Sequence, residues 1–170
     1  MTPGPPPPGG PPPWHSPRSP RDDAGQPRFA DGPAATARVL HWGLLMGGLV
    51  SVADLATLAI RQQWGGGAEA GGLLALNLIV NGVLFAVAGA SVARDTGRVR
   101  LAALAGLLAG LVDGLVVGAA TAMAPPAEVP PDMPAQQVWL GLVLQNVVLG
   151  TLLATASAWF SRLTRRRAGS

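Results

Sequence analysis

Residues 101–123 read LAALAGLLAGLVDGLVVGAATAM, an apolar run with a single charged residue, Asp113. At 1.5 Å rise per residue, about 23 residues make a helix of roughly 34 Å, long enough to cross a hydrocarbon core of about 30 Å. Three other stretches share this length and character. They are residues 39–60, 72–93 and 138–160. The sequence therefore predicts four transmembrane helices.

A soluble helical protein and an outer-membrane barrel are the alternatives to this fold. Four apolar segments joined by linkers of 7 to 14 residues leave no polar faces to meet water. A barrel needs alternating polar and apolar residues, whereas these segments consist mainly of Ala, Leu, Gly and Val without that alternation. In lipid, the backbone must then satisfy its own hydrogen bonds as helix. We expect an all-α membrane protein, an antiparallel bundle of four transmembrane helices.

The distribution of arginine predicts the orientation of the chain. Eleven of the twelve basic residues, all arginines, lie before the first helix, between the second and third, or after the fourth, and the other is Arg61. Because positively charged loops stay in the cytoplasm, we expect both termini there and the chain in the plasma (bacterial inner) membrane. The tryptophans agree, with Trp42 and Trp159 at the inner ends and Trp64 and Trp139 at the outer ends.

Composition excludes several classes of function. The arginines that give the net charge of +3 are placed as expected for this topology, where they favour attraction to anionic lipid. Because the positive charge is explained in this way, we expect no nucleic-acid partner. The absence of cysteine excludes disulfides, thiolate metal sites and cysteine nucleophiles. No histidine cluster or catalytic set is recognisable, so we expect no enzyme, no metal site and no cofactor. The first apolar stretch is too long for a signal peptide, and we expect no cleavage.

Residues 1–37 form a segment of a different kind. Twelve of the seventeen prolines lie here, with few apolar side chains between them. Such a segment buries too little surface to offset its ordering entropy, so we expect a disordered cytoplasmic tail with polyproline II character. It is either a ligand for a groove on a cytoplasmic protein or a solubilising tether. The transmembrane domain is then expected over residues 38–162, and a short basic cytoplasmic C-terminus over 163–170.

Glycine recurs at every fourth position in the third segment, and a shorter version occurs in the first. The positions are Gly106, Gly110, Gly114 and Gly118 in the third segment and Gly43 and Gly47 in the first. Residues four apart share a helix face, and a face without side chains lets another helix backbone come close. The pattern predicts close packing, either inside one bundle, which is the preferred interpretation, or between copies in a homo-oligomer.

Six polar side chains fall inside the apolar segments at similar depth. They are Asp54, Asn77, Asn81, Asp113, Gln145 and Asn146. A charged aspartate near the bilayer centre is unfavourable by at least about 2.5 kcal/mol, so both acids should face protein or water. The preferred interpretation is a hydrogen-bonded latch between helices, and the alternative is a proton or ion pathway.

From the sequence we expect a non-enzymatic integral membrane protein, a scaffold or accessory subunit. It would use the glycine faces for helix packing and the proline-rich tail to bind a cytoplasmic partner. The alternative is a small oligomeric channel or proton-coupled transporter in which Asp54 and Asp113 titrate. No sequence motif decides between these two functions.

Overall fold

The computed structural model describes residues 32–64, 68–125, 130 and 132–168. Within these ranges all regular secondary structure is helical. The four helices are α1 (Pro33–Trp64), α2 (Ala68–Thr96), α3 (Val99–Met123) and α4 (Ala135–Ala168). Each contains a stretch that is long and apolar enough to cross a membrane. The prediction of an all-helical chain with four such helices is confirmed.

Each predicted segment lies within one helix, but the helices are longer than the segments. At its N-terminus, α1 includes residues 33–37, which the sequence analysis placed in the tail, and α4 continues through residues 163–168 of the basic C-terminus. Alanine fills much of the first extension and arginine much of the second, and the high helix propensity of both residues favours continued helix beyond the apolar stretch. The rest of the predicted tail, residues 1–31, lies outside the described residues.

A short turn around Gly97 joins α2 to α3. Gly97 has a φ of 65°, a left-handed conformation that residues with a Cβ rarely adopt. Its N–H donates a hydrogen bond to the carbonyl oxygen of Ala93 at 3.0 Å, a common way for a helix to end. The N–H of Arg98 donates to the hydroxyl of Thr96 at 3.3 Å. Because of this turn, α3 begins at Val99, three residues after α2 ends.

The helices pack with α2 and α3 in contact with all the others. Within the described residues, α1 and α4 do not contact each other, and the α3–α4 interface is the most extensive. Arg38 Nε lies 3.7 Å from Asp95 Oδ2, which brings the start of α1 to the end of α2. Gln62 Nε2 donates to the carbonyl oxygen of Ala124 at 3.4 Å, where α1 and α3 end. We call the first of these the arginine-rich end and the second the opposite end.

Two apolar layers fill the helix interfaces from the arginine-rich end to the middle. The first layer consists of Val39, Val92, Ala93, Ala102, Ala105 and Ala158, which come from all four helices. The second layer consists of Val50, Phe85 and Ala109, with Leu84 and Leu153 packed against it. The alanines of the first layer let the helices approach closely. Beyond the second layer, the residues between the helices include many polar side chains.

Candidate functional site

A cavity of about 510 Å³ lies between the helices on the far side of the second apolar layer. All four helices contribute to its wall. The polar lining residues are Asp54, Thr57 and Arg61 of α1, Asn77 and Asn81 of α2, Thr121 of α3, and Gln145 and Asn146 of α4. Five of the six polar residues singled out in the sequence therefore line one cavity, and Asp113 does not.

Asp54 is the centre of a hydrogen-bonded cluster in this cavity. Its Oδ1 accepts a hydrogen bond from Asn77 Nδ2 at 2.5 Å and another from Asn81 Nδ2 at 2.6 Å. The two asparagines are four residues apart on α2 and share one face, so a single carboxylate oxygen reaches both. The cluster ties α1 to α2 and has the geometry of a latch between helices.

Asp113 lies behind the cavity wall, completely buried. Within the described residues, neither of its carboxyl oxygens has a hydrogen-bond partner. Asp54 and Ser51 of α1 face it, but the Ser51 hydroxyl donates to the Gly47 carbonyl of its own helix at 2.9 Å. Two carboxyl groups thus face each other across the α1–α3 interface. That of Asp54 is held by amides, and that of Asp113 is not.

The four glycines of α3 bring α4 close to the position of Asp113. Gly106 faces Gly150, Gly110 faces Asn146, Gly114 faces Val143 and Gly118 faces Trp139. A Cβ added at any of these glycines would lie within 2.8 Å of an atom of α4, which leaves no room for a side chain. The contact with Gly110 also places Asn146 beside the cavity. The glycine strip of α3 is therefore occupied by another helix of the same chain.

The two glycines of α1 make the equivalent contact with a different face of α3. A Cβ at Gly43 would lie 2.8 Å from Leu108 Cδ2, and a Cβ at Gly47 would lie 2.8 Å from the carbonyl oxygen of Ala109. Both contacts lie on the arginine-rich side of Asp54. They bring α1 against α3 where Asp54 and Asp113 meet.

Sequence reasoning did not single out Gly89, where α2 comes close to α4. A Cβ at Gly89 would strike the backbone of Ala154, which is itself fully buried. The spacing of four between Gly89 and the buried Ala93 follows the pattern that marked α3 and would have identified this face. This contact closes the region between α2 and α4 on the arginine-rich side of the cavity.

Three polar residues of the cavity were also missed as site residues. Thr57 and Thr121 line it, and the Thr57 hydroxyl donates to the Ala53 carbonyl at 2.9 Å. Threonine is common in helices with this bond, so it gave no signal in the sequence. Arg61 was used only to predict topology, yet it lies on the cavity wall. Its place seven residues after Asp54, about two helical turns, could have linked the two residues to one face.

The cavity offers charged and hydrogen-bonding groups. Among the residues that the structure describes, no group of three His, Cys, Asp or Glu side chains could hold a metal ion. The lining combines a carboxylate, four side-chain amides, two hydroxyls and a guanidinium with apolar walls. A volume of about 510 Å³ lies within the range of about 300–1,000 Å³ that small-molecule sites occupy. The arrangement is suited to holding a small polar or amphiphilic molecule.

Comparisons with protein-family models, curated proteins and solved structures give no match to this chain.

Proposed function

We propose that this protein is an integral protein of the plasma membrane, an antiparallel bundle of four transmembrane helices with both termini in the cytoplasm. Four helices of sufficient length and apolarity support the insertion. The antiparallel order is supported by the α1–α2 contacts, since Arg38 pairs with Asp95 and Asp54 with Asn77, in opposite directions along the two helices. The positions of eleven of the twelve arginines support the orientation, as in a bacterial inner-membrane protein.

Within that membrane, the protein acts as a non-enzymatic carrier of a small solute. The observation that carries this proposal is the cavity of about 510 Å³, which gathers polar side chains from all four helices inside an otherwise apolar unit. Intramembrane polar residues cost free energy and usually face a functional cavity or one another. A latch between α1 and α2 accounts for Asp54, Asn77 and Asn81. It accounts for neither Gln145 and Asn146 on α4 nor the cavity itself.

A carrier fits the packing better than an open channel does. On the arginine-rich side, the cavity ends at Phe85, which belongs with Val50 to the second apolar layer, and the first apolar layer follows. These residues are almost completely buried and come from several helices. A solute in the cavity reaches the arginine-rich end only if the helices rearrange, which is how alternating-access proteins move a substrate past a fixed site.

Asp54 and Asp113 form the proton-coupling pair of the proposed carrier. They face each other on neighbouring helices, and only Asp54 is held by amide donors. Acids inside membrane segments commonly serve proton relays in pumps and transporters. A proton exchanged at this pair would alter the contact between α1 and α3 and hence the arrangement of helices around the cavity.

The carrier is tested by measuring proton-driven solute flux in proteoliposomes. The unchanged protein is compared with the single replacement Asp113→Asn. The amide keeps the shape of the side chain but cannot exchange a proton as a carboxyl does, so we expect flux to be lost while the fold remains. Asp95→Asn is the matched control, because Asp95 lies at the arginine-rich end in a partly exposed ion pair. Unchanged flux after Asp113→Asn would falsify the role of this pair.

A scaffold or accessory subunit is the second candidate, favoured by one observation in the sequence. The first 37 residues carry twelve prolines, a composition typical of ligands for aromatic-lined grooves. The glycine faces add less to this candidate, because the strip of α3 contacts α4 of the same chain rather than a partner. Homo-oligomers would therefore have to form through other surfaces.

Deletion of residues 1–31, which ends just before α1 begins at Pro33, tests this second candidate. Full-length and shortened proteins are purified from native membranes in a lipid-preserving system. A stoichiometric protein partner that is lost with the tail supports an adaptor. Recovery of the same partners with and without the tail argues that the tail recruits none of them.

A further inference from the structure

Two side chains at or behind the cavity wall, Asn81 and Asp113, have buried hydrogen-bond acceptor atoms without a donor in the described part of the chain. Asn81 donates its Nδ2 to Asp54, and its own Oδ1 is buried without a hydrogen-bond partner in the described part of the chain. Behind Asp54, both carboxyl oxygens of the buried Asp113 also lack a hydrogen-bond partner in the described residues. A buried acceptor without a donor is unfavourable. A ligand that brings N–H donors to the carboxylate of Asp54 fits the side of the cavity where these acceptors lie.

The remainder of the cavity wall is largely apolar. Six leucines line it, at Leu58, Leu74, Leu78, Leu142, Leu149 and Leu153. They come from α1, α2 and α4, so the polar cluster has apolar walls on several sides. A purely hydrophilic solute would leave these leucines without apolar contact. The wall therefore fits a molecule with an apolar body as well as a polar head.

The two charged residues on the wall give two parts of the cavity opposite charges. Asp54 and Arg61 are seven residues apart on α1, a rise of about 10 Å along the helix axis. Arg61 lies nearer the opposite end, and Asp54 lies deeper, with the carboxyl of Asp113 facing it from behind. The deep part of the cavity therefore presents an acidic group and the outer part a basic one. A positively charged head is attracted to the deep part.

We propose that the cavity binds an amphiphilic amine, a molecule with a protonated primary amine as its head and an alkyl or aryl group as its body. The inference rests on the proposed function of the cavity as a solute site. The ammonium donates to the carboxylate of Asp54, and the apolar body lies along the leucines of α2 and α4. A head with three N–H donors suits the acceptor oxygens of the Asp54 carboxylate, and its positive charge complements the negative charge of that group.

The test is equilibrium binding of radiolabelled octylammonium to the full chain in nanodiscs of phosphatidylcholine, with empty nanodiscs subtracted. Octanol has the same chain length without the charge and serves as the matched probe. We expect saturable binding of octylammonium at least about tenfold tighter than that of octanol, since a charge-assisted hydrogen bond is stronger than one between neutral groups. Asp54→Asn should weaken octylammonium binding about tenfold and leave octanol unchanged, and Asp95→Asn should change neither.

A second pair of variants tests the place of binding without touching the charged groups. Gly82 lines the cavity, and a Cβ there would make only an ordinary contact, 4.0 Å from Leu153 Cδ1. Gly82→Leu therefore fills part of the cavity with little disturbance of packing, and it should reduce octylammonium binding. Gly48→Leu is the control, since a Cβ at Gly48 meets no atom within 4 Å and Gly48 is not a lining residue.

Three outcomes overturn the amine assignment and leave the carrier standing. The first is equal binding of octanol and octylammonium, insensitive to Asp54→Asn. The second is the failure of both probes to bind, alongside flux of a different solute that depends on Asp113. The third is binding of octylammonium that Gly82→Leu leaves unchanged, because the amine then lies elsewhere. Absence of both binding and flux overturns the inference and the proposed function together.

Discussion

Gly106 of α3 and Gly150 of α4 meet backbone to backbone. A Cβ on Gly106 would strike the carbonyl oxygen of Gly150, and a Cβ on Gly150 would strike the carbonyl oxygen of Gly106. Neither helix can carry a side chain at this crossing. Contacts of this kind provide van der Waals attraction that lipid tails do not replace, so they stabilise helix association in a membrane. The crossing fixes the α3–α4 interface that supports Asp113 and Asn146.

Gly106→Ala should therefore destabilise the protein, by about 1–3 kcal/mol or more, since overpacking against a rigid backbone forces the helices apart. Gly141→Ala is the matched control on α4, because a Cβ there meets nothing within 4 Å. The free energy of unfolding is measured for both variants in the same lipid or detergent. Equal stability of the two variants would show that this crossing is looser than described.

The two carboxyl groups should respond in opposite ways to an apolar replacement. Asp113→Val removes a buried group that has no donor, so we expect unchanged or higher stability, by up to about 1–3 kcal/mol. Asp54→Val takes the acceptor away from the amides of Asn77 and Asn81, so we expect lower stability. The free energy of unfolding, measured for both variants, tests this prediction. A large loss of stability in Asp113→Val would mean that its carboxyl is a structural group.

The bond between Asp54 and Asn77 should appear as a coupling free energy. A double-mutant cycle of Asp54→Ala and Asn77→Ala is expected to give about 0.6 kcal/mol, and at most about 1.7 kcal/mol, as for other interhelical hydrogen bonds in membranes. A second cycle, of Asp54→Ala and Asn146→Ala, is the control, because Asn146 lines the same cavity from α4 without bonding to Asp54. Equal coupling in both cycles would contradict a specific latch between α1 and α2.

The proposed orientation can be tested directly, because the chain has no cysteine. Ala34→Cys places an exposed thiol at the start of α1, and Met133→Cys places one just before α4. A membrane-impermeant maleimide applied to intact cells should label Met133→Cys at once. It should label Ala34→Cys only after permeabilisation. The reverse pattern would place the arginine-rich end outside.

Most of the helical architecture could be predicted from local patterns. The segment at 101–123 lies within α3, and the other three segments also lie inside single helices. Hydropathy locates the apolar stretch, but helix ends depend on the flanking residues. Residues such as Ala34 and Arg162 continue the helices past the predicted limits. The predicted and observed helix boundaries therefore differ most where α1 begins and where α4 ends.

The candidate site was only partly accessible to sequence reasoning. The residue types and depth identified the six polar residues, and the spacing of four placed Asn77 and Asn81 on one face. Nothing in the sequence separated Asp54, which has two amide donors, from Asp113, which has none. The neighbours of each carboxyl group depend on how its helix is rotated. Packing between the helices sets that rotation.

The sequence by itself determined the number of helices, their apolar character and the asymmetry of arginine between their ends, because length, hydropathy and charge are properties of local segments. Only the tertiary structure decided which helices touch, that the glycines of α3 meet α4, and that Phe85 closes one side of the cavity. The physical reason is that a lipid-facing residue and a packed residue can have the same hydropathy. Close packing of backbones selects among helix rotations that hydropathy leaves equivalent.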